Sequence, residues 1–177
     1  LMSREDWKEF SRIMGMNFDG ITSSDADEGL ILPQGRDNDR YLRMIDRAAL
    51  RCVPLEKEFN DQRRYDLHFF MLEKIDKALK AFKSDREKVS FTDMISKYVE
   101  QGNTPKLKIL IVDEAQDLVP LQWKMVELLA SNSEYTYFAG DDDQAIHKWA
   151  GVDVNLFMKC SETIRVLDKS YRLPKSA

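Results

Sequence analysis

At 177 residues the chain can bury a real core and hold one domain or two small ones. Hydrophobic residues make up 43% and charged residues 33%, and no apolar run approaches the roughly 20 residues of a membrane span, so the composition is that of a soluble globular protein. The net charge of −4 neither requires nor excludes nucleic acid, because a local groove can carry a strand on a chain that is not basic overall. The two cysteines, Cys52 and Cys160, lie far apart without zinc spacing. With no secretory apolar segment near the start, they fit reduced thiols in a cytoplasmic protein.

The first 88 residues read as mostly helical. Ser3 is placed to cap a helix, with Asp6 three residues on and Trp7, Phe10, Ile13 and Met14 at helical spacing. Residues 15–39 carry Gly15, Gly20, Gly29, Pro33 and Gly35 among many acids, and read as a long irregular connection with an extended stretch at Gly29–Leu32. Arg40 to Arg51 predicts a helix. Arg40, Arg43, Arg47 and Arg51 share one face and Leu42, Ile45 and Ala49 another. The arginine stripe suits either phosphates or, as the reading favoured here, a solvated face paired with acids. After Pro54 a longer helix is expected from Leu55 or Asn60 to Phe82, with His68 as a structural residue beside its apolar stripe.

From Ser90 the pattern changes. Ser90 or Thr92 caps a helix over Asp93–Gln101 that ends at Gly102. Ile109-Leu110-Ile111-Val112 is an unbroken apolar run, read as a strand buried on both faces. A helix over Pro120–Ala130, a strand over Tyr135–Ala139, short helices near Gln144–Trp149 and Val154–Lys159, and a strand over Thr163–Leu167 follow. Strand–helix alternation predicts an α/β fold, with a parallel sheet and flanking helices after a mostly helical subdomain.

Ligands of such sheets sit beyond the carboxyl ends of the strands. Those ends carry Asp113-Glu114-Ala115-Gln116-Asp117, Gly140-Asp141-Asp142-Asp143-Gln144 and Lys169-Ser170-Tyr171-Arg172. Carboxylates for a metal, an amide, an aromatic ring and a guanidinium form an inventory suited to hydrolysis of a nucleoside triphosphate. Asp141–Asp143 also fit an acidic turn, and Asp93 a first-turn acid favoured by the helix dipole.

These residues resemble a family. Asp113–Asp117 with Gln122 looks like motif II of the UvrD/Rep/PcrA-type superfamily 1A DNA helicases. Gly140–Gly151 looks like motif III, and Leu167–Arg172 like motif IV. Phe91-Thr92-Asp93-Met94-Ile95 is similar to a short segment that precedes motif II. The resemblance implies a partial RecA-like fold, with residues 1–88 as a helical insertion subdomain (1B-like) and 89–177 as the C-terminal half of the RecA-like ATPase domain 1A.

It further implies ATP and Mg²⁺ as cofactors and single-stranded DNA as partner, with RNA left as an alternative strand. Asp113 and Glu114 would bind the metal in a Walker B role, and Glu114 would orient or deprotonate water. Gln144 and Arg172 would reach the γ-phosphate, Tyr171 would stack on the nucleotide base, and Trp149, with His147 in place of a usual tyrosine, would contact DNA. The chain departs from the family at Ala150, where an arginine usually follows the tryptophan.

No Gly-x-x-x-x-Gly-Lys-Ser/Thr loop of P-loop NTPases occurs in these residues. The expectation is therefore an internal fragment of an ATP-dependent DNA helicase or translocase, inactive alone, lacking the Walker A segment and the second RecA-like domain of its parent. The alternatives are a non-catalytic nucleic-acid-binding module derived from a helicase, and a Mg²⁺-dependent nuclease using Asp113, Glu114 and Asp141. The nuclease reading leaves Gln144, Trp149, Tyr171 and Arg172 without a purpose.

Overall fold

The computed structural model describes residues 1–19, 38–62, 67–144, 152, 154–161 and 163–166. The extended stretch expected at Gly29–Leu32 lies outside them. Helix α1 (Arg4–Met14) opens on a capping box: the Asp6 amide donates to Ser3 Oγ at 3.2 Å and the Ser3 amide to Asp6 Oδ2 at 2.6 Å. It closes at Gly15, whose φ of 63° lies in the left-handed region that glycine adopts without a Cβ penalty. Trp7 and Phe10 point into the core.

Helix α2 (Asp39–Leu50) buries Tyr41, Leu42, Met44 and Ala48. Two arginines of the stripe, Arg47 and Arg51, turn toward α3 (Leu55–Gln62). Arg47 Nε lies 3.0 Å from Glu58 Oε1, and Arg51 donates to Glu58 Oε2 and, at 3.1 Å, to Asp61. The acid-paired reading of the stripe fits these bonds, with one difference. Glu58 is fully buried, so two cations seal a carboxylate inside rather than decorate a solvated face.

The single long helix expected to reach Phe82 is two helices. α3 covers Leu55–Gln62 and α4 Phe69–Asp85, and Leu67 and His68 are not helical. Between them Leu67 is buried, and His68 adopts extended backbone (φ −111°, ψ 125°) with its amide donating to Tyr41 Oη at 3.2 Å. Splitting the helix lets Phe59 and Phe69 meet at 5.4 Å and sets both pieces against α2. Phe10, Leu42, Leu72, Ile75 and Phe82 form the centre of this helical core. Each such buried apolar side chain contributes about 1.5–3 kcal/mol by leaving water.

Helix α5 (Phe91–Gln101) repeats the capping box with Ser90 and Asp93 and ends at Gly102 (φ 67°). Asp93 also accepts from Lys83 Nζ at 2.7 Å, so it fixes the helix start as the first-turn reading expected. Thr92 Oγ1 donates to Asp46 Oδ1 at 2.6 Å and ties α5 to α2.

Strand β1 (Leu107–Val112), helix α6 (Pro120–Ala130) and strand β2 (Ser133–Phe138) follow. The strands pair in parallel, Ile109 opposite Tyr135 and Ile111 opposite Tyr137. Gln122 Oε1 accepts from the Val119 amide at 2.9 Å, which places Gln122 in the cap of α6. The chain is thus an α/β protein, a partial RecA-like parallel sheet with flanking helices after a mostly helical stretch.

Two expectations for the sheet change. β1 is not buried on both faces: Val112 joins a core with Ala115, Trp123 and Val126, with Leu110 and Phe138 against it, while Ile109 and Ile111 are 53% and 70% exposed. The sheet is covered on one side by α6 and bare on the other among the described residues. The strand expected over Thr163–Leu167 does not form over 163–166, where Ile164 and Val166 project into solvent without a sheet neighbour. A β-branched alternation is not enough when no strand edge meets it. The helix expected near Val154–Lys159 forms as α7 (Val154–Met158). Among the described residues, no helix is long and apolar enough to cross a membrane.

Candidate functional site

The site grows from the carboxyl ends of β1 and β2. Past the last paired residues the ladder continues, with the Ala139 amide donating to the Val112 carbonyl at 2.8 Å and the Ala115 amide to the Ala139 carbonyl at 2.9 Å. The segments Asp113-Glu114 and Gly140-Asp141 therefore leave the sheet side by side. Asp113 and Glu114 are exposed. Glu114 has φ 51° and ψ 37°, the left-handed region that a residue with a Cβ rarely occupies. This turn swings the chain into a short 3-10 helix, Ala115–Asp117, under the strand end.

Gln116 is the polar centre of the site and is 2% exposed. Its Nε2 donates to Glu114 Oε2 at 2.8 Å and to Asp117 Oδ2 at 3.3 Å. Its Oε1 accepts from the Asp141 amide at 3.1 Å. Asp141 in turn accepts from the Asp143 amide at 3.1 Å and from the Gln144 side chain, closing a second 3-10 turn over Asp142–Gln144. Gly140 makes room for this: a Cβ there would press into Gln116 Oε1 and stand 2.9 Å from Phe157 Cζ.

Of the residues expected at the site, the structure brings Asp113, Glu114 and Gln144 to one edge, with Asp141 between them. His147, Trp149, Tyr171 and Arg172 lie outside the described residues. Gln116 and Gly140 carry no role from sequence reasoning, because neither periodicity nor composition separates a buried amide from a surface one. The signal, in retrospect, is an amide two residues after the acidic pair.

The donor set suits a hard cation. Among the described residues no group of three or more His, Cys, Asp and Glu side chains is arranged to hold a metal by itself. Mg²⁺ characteristically takes one or two carboxylates, several waters and the phosphates of its substrate, so the exposed, all-oxygen pair Asp113 and Glu114 fits it.

A family model described as the UvrD/REP helicase N-terminal domain matches residues 23–165. The ATP-dependent DNA helicase Rep of Buchnera aphidicola subsp. Baizongia pistaciae is 42% identical over 52 residues, 29% of this chain and 8% of that protein. DNA helicase II of Haemophilus influenzae is 37% identical over 68 residues, 36% of this chain and 9% of that protein. DNA helicase II of Escherichia coli (strain K12) is 36% identical over 69 residues, again 36% and 9%. The chain thus spans less than a tenth of the length of these relatives in each match.

Proposed function

Since the chain belongs to the UvrD/REP helicase N-terminal domain family, we propose that it supplies part of the ATPase core of a cytoplasmic DNA helicase or translocase that couples ATP hydrolysis to movement on single-stranded DNA. Residues 1–88 serve as the helical insertion subdomain and 89–177 as the C-terminal half of the first RecA-like domain. The observation that carries this reading is the joined edge of β1 and β2. It sets an exposed carboxylate pair and a polar turn beside one another at the place where parallel sheets bind nucleotides.

In this reading Asp113 would hold Mg²⁺, and the metal would supply neutralisation of the phosphate charge. Glu114 accepts a hydrogen bond from the attacking water and draws off its proton as the bond to the γ-phosphorus forms and the bond from that phosphorus to the β–γ bridging oxygen breaks, releasing ADP and phosphate. Gln144 contacts the γ-phosphate, and Arg172 stabilises the charge that develops on it. Tyr171 stacks on the adenine. Trp149 and His147 stack on bases of the DNA strand, a contact worth about 1–3 kcal/mol per base that tolerates any sequence. The names of the relatives, ATP-dependent DNA helicase Rep and DNA helicase II, support this assignment.

The test is calorimetry with Mg·ATP and steady-state hydrolysis with and without an oligo-dT strand, on these 177 residues and on the full-length gene product that carries them. The 177 residues are expected to be inactive alone, since they hold no Gly-x-x-x-x-Gly-Lys-Ser/Thr loop. The full-length protein is expected to hydrolyse ATP in a DNA-stimulated way, and Glu114→Gln to lower kcat by about 100-fold or more while ATP still binds. A full-length protein that neither binds nor hydrolyses ATP overturns the proposal in favour of a nucleic-acid-binding module.

A further inference from the structure

We propose that Gln116 is a positioning residue that carries the state of the Gln144 turn to the Glu114 carboxylate through its side-chain amide. The inference rests on the roles proposed above for Glu114 and Gln144. A continuous path of hydrogen bonds joins them: Glu114 Oε2 to Gln116 Nε2 at 2.8 Å, Gln116 Oε1 to the Asp141 amide at 3.1 Å, and Asp141 Oδ2 to the Gln144 amide. The central link has few alternatives, while Glu114, Asp141 and Gln144 at its ends are exposed. Gln116 is 2% exposed, so water cannot replace its partners without opening the strand ends. Glutamine is the residue this geometry requires, because one planar carboxamide donates toward β1 and accepts from β2 at once.

The environment holds that carboxamide in place. Ala115, fully buried, and Phe157 pack in the same core region, and Gly140 leaves the space that Gln116 Oε1 fills. A shift of the 142–144 turn drags the Asp141 amide, and the amide plane of Gln116 must follow. The donated bond then turns, and the free oxygen of Glu114 changes direction. Gln116 itself meets no substrate. It sets the orientation of a group that does, and it lets a change at Gln144 reach Glu114 without any movement of the strands.

The test uses the full-length gene product with Mg·ATP and oligo-dT. Gln116→Met keeps the volume and removes all three bonds of the side chain, to Glu114, Asp117 and Asp141. It is expected to lower kcat by about 10-fold or more with KM for ATP within about twofold, the scale seen when an orienting partner is lost. Combining it with Gln144→Ala is expected to cost no more than the worse single change, since groups acting as a unit are not additive. Gln116→Glu keeps an acceptor for Asp141 but loses the donor to Glu114. Its kcat is expected to fall as far as that of Gln116→Met, with KM for ATP again within about twofold.

Amide hydrogen exchange separates positioning from folding. In Gln116→Met the Asp141 amide is expected to lose protection while the Ala139 amide, bonded within the ladder, keeps it. Should both be lost, Gln116→Glu, which keeps the acceptor for the Asp141 amide, decides: kcat within about twofold of the parent overturns the inference. A Gln116→Met protein with kcat within about twofold of the parent, or a multiplicative double change, overturns the inference while leaving the proposed function intact. A parent protein without DNA-stimulated hydrolysis overturns both.

Discussion

Glu114 is held at φ 51° and ψ 37° at the end of β1. Such a conformation costs a residue with a Cβ about 1–2 kcal/mol. Strain of this kind persists where the surroundings over-determine it, and here the Gln116 bond and the Ala115–Ala139 bond do so. Glu114→Gly is therefore expected to raise the thermal midpoint, by about 2–4 °C for each kcal/mol recovered in a chain of this size, while abolishing hydrolysis in the full-length protein. Calorimetric melting beside an activity assay checks both halves. Asp113-Glu114 was legible because two acids follow an apolar run. The left-handed turn was not, since nothing in the residue type demands it. Gln116 was hidden for a different reason: its importance comes from Gly140 and Asp141, brought close only by strand pairing.

The two capping boxes show where local chemistry decides an element. Ser3 with Asp6 and Ser90 with Asp93 each satisfy amides that a helix start leaves open. Ser90→Ala is expected to cost about 1 kcal/mol, read as a lower urea midpoint with an unchanged slope. For Asp6 the Ser3 amide and hydroxyl, helped by Lys88, hold the carboxyl down to about 2. Its folded value lies below its ordinary value of 3.8, so the stabilisation is complete above about pH 4 and is lost as the pH falls toward 2. An acid titration by circular dichroism of the parent and of Asp6→Asn checks this, with the difference between them closing across that window.

Such caps, the glycine stop at Gly102 and the proline at the start of α6 were readable, because each acts within a few residues. The break between α3 and α4 was not. It depends on Leu67 entering the core and on the Tyr41 hydroxyl, 27 residues from the His68 amide it receives. The missing strand over 163–166 fails for the same reason, since pairing is set by distant neighbours rather than by its own alternation.

At the scale of the molecule, two apolar clusters meet along α2 and α5. The first is built between Trp7 and Phe82, the second between Val112 and Val126, and the Thr92–Asp46 bond lies between them. Desolvation raises the Asp46 carboxyl against the hydrogen bond from Thr92 and the charge of Lys83, with Asp93 adding to the rise. Among the described residues the sheet of the second cluster has only one covered side. Ile109, Ile111, Tyr135 and Tyr137, all more than half exposed, form a continuous row on the other face of the sheet, because opposite partners in register share a face. Concentration is thus a second axis of this chain's behaviour, beside temperature and acidity. Dilute and concentrated samples should sediment differently, and Ile111→Lys should make them sediment alike, because an apolar ribbon that none of the described residues covers is satisfied most readily by its own kind.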